Sequence, residues 1–111
     1  MTSYVKSVTV DCGEPLRLAE FWASALGSDV DDDSTPDRAF VGAAGWGGPD
    51  MWFVSVPEGK SAKNRLHFDL RPHGERLFEI NRLKSMGASV LHDGDKLTVM
   101  ADPEGNEFCV E

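Results

Sequence analysis

The chain repeats itself at an offset of sixty residues. Ser7 and His67 take the same place in their strands, Leu26-Gly27 and Met86-Gly87 end two helices, and Val30 and Val90 follow them. A fixed internal period restricts a fold more than composition does, because each repeat has to be one structural unit. Each half reads strand, helix, strand, strand, strand. The expected fold class is α+β: a single domain of two βαβββ modules, about 1–60 and about 61–111. Neither half is large enough to bury a sheet alone.

The elements follow from local pattern. Tyr4 to Asp11 alternates apolar and polar residues, which predicts a half-buried strand. Pro15 opens a helix over Leu16–Leu26 that Gly27 ends, with Leu18, Trp22 and Ala25 on one face. Ser28–Val30, Arg38–Val41 and Met51–Val56 read as strands, and Asp31-Asp32-Asp33 as a solvated loop. In the second half Arg65–Arg71 alternates like the first strand, and Gly74–Met86 is helical with Leu77, Ile80 and Leu83 on one face. Ala88–His92 and Lys96–Ala101 bracket the turn dipeptide Asp93-Gly94. Asp102-Pro103-Glu104-Gly105 suits a type I turn before a last strand, Glu107–Val110.

Strand alternation sorts side chains by face. Val8 and Val10, Leu66, Phe68 and Leu70, and Phe108 and Val110 form the expected helix-covered side. Ser7, Thr9, Asp11, Arg65, His67, Asp69, Arg71, Glu107 and Cys109 face the other way. In Met51–Val56 the expected core is Trp52, Val54 and Val56, with Phe53 and Ser55 opposite. That polar set has two readings: a sheet face meeting water, whose mixed charges pair across strands, or the lining of a ligand cavity. Cys12 and Cys109 fall on opposite faces, which argues against a disulfide between them.

Charge narrows the partners. Eleven Lys and Arg against nineteen Asp and Glu give a net charge of −8, which excludes nucleic acid and an anionic membrane surface as the main partner. No apolar run approaches a transmembrane span, and Met1 to Lys6 carries no signal-like apolar region, so a cytoplasmic protein is expected. Trp46 stands alone in the glycine-rich stretch Gly42–Pro49. A loop with one large aromatic reads either as a lid over a planar ligand or as a ring tucked against the protein.

Val8-Thr9-Val10-Asp11-Cys12 leads into Leu18-Ala19-Glu20-Phe21-Trp22 and Leu26-Gly27, and Lys63-Asn64-Arg65-Leu66-His67-Phe68-Asp69-Leu70 leads into Leu83-Lys84-Ser85-Met86-Gly87-Ala88. With the closing Asp102-Pro103-Glu104-Gly105-Asn106-Glu107-Phe108, this order resembles the glyoxalase/bleomycin-resistance/dioxygenase (vicinal oxygen chelate) superfamily, in particular its small glyoxalase-like proteins. The resemblance implies a curved mixed sheet around a cleft, and a homodimer. In metal-dependent members His and Glu ligands on four strands hold a divalent ion that polarises substrate oxygens.

Carried over position by position, the first ligand falls on Ser7 and the second near Phe53 or Ser55. The third falls on His67, which matches, and the fourth on Cys109, with Glu107 two residues away. A divalent site normally takes three or more good protein ligands. His67 and Glu107 are therefore the candidate catalytic and metal residues, for Zn, Ni, Mn or Fe. Without a metal, His67 reads as a general base, a hydrogen-bond donor or a structural partner of Asp69 or Glu107. The candidate ligand-binding set is Ser7, Thr9, Trp46, Phe53, His67, Asp69, Arg71 and Cys109. The favoured expectation is a metal-independent protein of the bleomycin-resistance type, with no cofactor, holding a hydrophobic or aromatic compound. The alternative is a divalent-metal lyase, isomerase or dioxygenase.

Overall fold

The computed structural model describes every residue except Trp46. The chain divides into two units, Met1–Gly59 and Lys60–Glu111. The first contains β1 (Ser7–Cys12), α1 (Pro15–Leu26), β2 (Arg38–Val41) and β3 (Asp50–Ser55). The sheet order is β1-β3-β2, with β1 parallel and β2 antiparallel to β3. Pro15 starts α1, where an amide hydrogen would go unpaired anyway, and Gly27 ends it at φ 72°. Leu18, Ala19, Phe21 and Trp22 of α1 are buried, as are Ala39, Val41, Met51 and Phe53 of the sheet.

Two expectations for this unit need correction. The strand at Ser28–Val30 shrinks to a single bridge between Val30 and Val41, so the first module falls one strand short of βαβββ among the described residues. The phase of β3 is also reversed. The parallel register sets Val8 beside Met51 and Val10 beside Phe53, so Met51 and Phe53 join the buried side. Phe53 is fully buried, whereas Trp52 and Val54 are half-buried on the face turned from α1. Phe53 is thus a core residue and not a ligand-facing one. Met-Trp-Phe-Val is apolar throughout, so its own sequence carries no phase; the neighbouring strand supplies it.

The second unit contains β4 (Asp69–Leu70), α2 (Arg76–Ser85), β5 (Ser89–Asp93), β6 (Thr98–Ala101) and β7 (Glu107–Val110), a full βαβββ order. Its sheet runs β4-β7-β6-β5, with β4 parallel to β7 and the other pairs antiparallel. Ile80, Leu83, Met100, Phe108 and Val110 form the core. The strand expected over residues 65–71 reduces to the two residues of β4. Leu66, expected in the core, is 74% exposed, and Leu77 of α2 is 66% exposed. The hairpin forms as expected, but Asp93 pairs with Thr98 inside the ladder and Gly94 N–H donates to Leu97 O, so the loop is longer than an Asp93-Gly94 turn.

The closing turn holds. Gly105 N–H donates to Asp102 O at 2.9 Å, and the buried Asp102 carboxylate accepts from the Glu104 and Asn106 amides. Gly87, ending α2's turn at φ 113°, would place a Cβ 3.2 Å from Pro103 Cγ. Gly87→Ala therefore combines backbone strain with crowding and should cost about 2 kcal/mol in urea denaturation. Phe53→Ala should destabilise by about 3–5 kcal/mol. Trp52→Ala should cost clearly less by the same measurement, and the reverse order would return β3 to its sequence-expected phase.

Candidate functional site: the uncovered sheet faces

In the first unit the face opposite α1 is set by cross-strand register. Thr9 lies beside Trp52 and Trp52 beside Phe40, while Asp11, Val54 and Arg38 form the next row. The Phe40 and Trp52 rings are 4.6 Å apart between centroids and tilted by 53°. The Arg38 guanidinium carbon sits 4.2 Å from the Trp52 ring centroid. Phe40 and Trp52 are half-buried, and Thr9 and Arg38 are exposed. Of the expected ligand-binding residues, Thr9 shares this face and Ser7 lies half-buried at the start of β1, opposite Asp50. Trp46 lies outside the described residues.

Sequence reading missed Arg38, Phe40 and Trp52. The signal was present in part: Arg38-Ala39-Phe40-Val41 alternates, with Ala39 and Val41 the buried pair. Assigning the other pair to an open face also needed the correct phase of β3.

In the second unit Asp69, Cys109, Val99 and His92 form a row across the sheet. The Cys109 thiol is pushed up from its ordinary pKa, first by burial and then by the Asp69 carboxylate, to which it also hydrogen-bonds. A thiol held protonated in this way is a poor nucleophile and a poor metal ligand. Arg71 approaches Glu111 only at 4.0 Å, with both side chains substantially exposed, which makes the pair weak.

Glu107 is engaged at both oxygens. One accepts from Lys60 Nζ at 3.0 Å and the other from the Asn64 backbone N–H at 2.9 Å. Asn64 Nδ2 donates to Asn106 Oδ1 at 2.9 Å, and Asn106 is held in turn by Asp102. The Glu107 pKa is lowered to about 2, chiefly by the Asn64 N–H and further by Lys60, against partial burial, which opposes the shift. This clasp also explains the shortened β4. With the Asn64 N–H committed to a side chain, the chain bends at Arg65 and Leu66, and ladder bonding resumes only where Cys109 N–H donates to Phe68 O.

His67 is consequently exposed and lies outside β4. The donors do not fit the metal centre that the superfamily implies. Both oxygens of Glu107 are engaged by Lys60 and Asn64, the Cys109 thiol is pushed toward its protonated form by burial and Asp69, and Ser7 stands where a ligand is expected. No group of three or more His, Cys, Asp or Glu is placed to hold an ion among the described residues.

The α+β fold expected from the sequence is observed, as two units that each pair one helix with a mixed sheet. Residues 7–111 match the glyoxalase-like domain family, and the chain belongs to it. Solved structures agree in fold. A possible glyoxalase from Bacillus cereus superposes with a TM-score of 0.74 at 16% identity, covering 98% of each chain. A glyoxalase/bleomycin resistance protein/dioxygenase family enzyme from Burkholderia phytofirmans gives 0.74 at 15% identity, covering 97% of each. A variant fosfomycin resistance protein from Listeria monocytogenes, complexed with Mn(II) and a dihydroxypropylphosphonic acid, gives 0.76 at 14% identity, covering 100% of this chain and 93% of that one. No curated protein sequence matches. Among the described residues no helix is long and apolar enough to cross a membrane.

The clasp predicts a pH signature. A carboxylate with its folded pKa depressed from 4.5 to about 2 contributes stability above the unfolded value that is lost as pH falls through this window. Glu107→Gln should cost about 1–2 kcal/mol at neutral pH, and its stability should fall less than that of the unmodified chain between pH ~4.5 and ~2. Parallel acid limbs in urea titrations of the two proteins would remove Glu107 from this role.

Proposed function

We propose that this glyoxalase-like chain binds a small hydrophobic or aromatic compound without a metal, as bleomycin-resistance-type proteins of the superfamily do. The observation that carries the reading is the half-buried Phe40–Trp52 pair on the face turned from α1. Packing such rings on a planar ligand removes apolar surface from water and adds the directional attraction between π-systems. Thr9, next to Trp52, supplies a hydroxyl to the same surface. This reading replaces Phe53 with Trp52 in the expected ligand set and keeps Thr9 and Ser7.

A metal-dependent lyase, isomerase or dioxygenase needs His67 and Glu107 as ligands. Glu107 would first have to release Lys60 and Asn64. The Listeria neighbour holds Mn(II), yet its likeness extends to the fold alone. We therefore assign His67 no metal role; it is an exposed polar group of the second unit, as are Asp69 and Arg71.

Amide-detected NMR titration with naphthalenemethanol, a neutral planar probe, tests the reading. Perturbations should centre on Thr9, Phe40 and Trp52, and Trp52→Ala should weaken binding about tenfold. Thermal shifts with Zn(II), Ni(II), Mn(II) and Fe(II) should be absent. Stoichiometric metal that disappears in His67→Ala would overturn the metal-free reading, and a probe indifferent to Trp52 would overturn the aromatic surface.

A further inference from the structure

Arg38 is held in place by an aromatic ring and, among the described residues, has no ion-pair partner. Among the described residues Arg17, Arg71 and Arg82 each approach a carboxylate, Lys60 pairs with Glu107, and Arg76 donates to the carbonyls of Gly94 and Asp95. Arg38 instead lies over the Trp52 ring. Its neighbour across the strands is Val54, and the nearest acid in that row is Asp11, on the far side of Val54. Two strand spacings amount to ~10 Å, about a Debye length, at which attraction between exposed charges is largely screened. In a chain of net charge −8, where acids outnumber bases nineteen to eleven, Arg38 is set apart by being oriented on an aromatic ring instead of an acid.

Stacking uses the face of a guanidinium and leaves the N–H donors along its edge free, in the planar fork that matches a carboxylate or phosphate. Because the ring already orients the group, less side-chain freedom is lost when an anion arrives. We infer that the ligand is a planar aromatic anion, its ring on the Arg38–Trp52–Phe40 surface and its acidic group on the guanidinium edge of Arg38. This rests on the aromatic-binding reading above and adds the charge of the ligand.

Three probes sharing one ring system isolate that charge: naphthoate, naphthalenemethanol and naphthylmethylammonium, titrated by amide NMR into the full chain. Naphthoate should bind about tenfold more tightly than the alcohol, and the ammonium more weakly than either. Arg38→Gln should bring naphthoate down to the affinity of the alcohol. Arg38→Lys, which keeps the charge without the planar fork, should retain only part of the preference. Far-UV circular dichroism of both variants, with Arg38 exposed, should match the unmodified chain. Equal binding of naphthoate and alcohol, a preference for the ammonium, or a naphthoate preference that survives Arg38→Gln would overturn the anion and leave the aromatic surface standing. Failure of all three probes would overturn both.

Discussion

One helix can cover only one face of a sheet, and everything chemical in this chain depends on which side chains take the covered face. In the first unit the parallel register of β1 and β3 makes that choice: Val8 with Met51 and Val10 with Phe53 go under cover. Trp52 is thereby turned outward, and the antiparallel pairing of β2 sets Phe40 against it. A one-residue slip would bury the tryptophan and expose the phenylalanine. The aromatic surface is thus a by-product of register, fixed by the same pairing that builds the core.

The second unit is arranged around a carboxylate. Glu107 gathers Lys60 and the Asn64 amide, while Asp102 organises the adjacent turn and Asn106 links the two groups. Charge-assisted hydrogen bonds of this kind exceed neutral ones in strength and hold loop backbone that no ladder supports. The acid that sequence logic places nearest to a metal therefore serves as an anchor for the segment at residues 60–64.

Much of the fold was legible. Pro15 and Gly27 bound α1, Gly87 ends the turn after α2 with a positive φ, and Asp102 to Gly105 make the expected turn. These signals are local, so the residues that carry them also suffice to read them. The failures are long-range. Met-Trp-Phe-Val has no polar residue to set its phase, which Val8 and Val10 supply from more than forty residues away. Alternation through Leu66, Phe68 and Leu70 describes a strand, but the capture of the Asn64 amide by a side chain forty-three residues on prevents its first half from pairing. The expected site residues inherited both errors: Phe53 lies in the core and His67 outside the sheet, while Arg38 and Trp52 lie on the face proposed for the ligand.

Cys109 carries a consequence of another kind. Thiols are oxidised and alkylated as thiolates, so burial beside Asp69, which favours the protonated form, slows both reactions. An otherwise reactive sulfur on a sheet strand is thereby kept chemically quiet by the carboxylate of the adjacent strand.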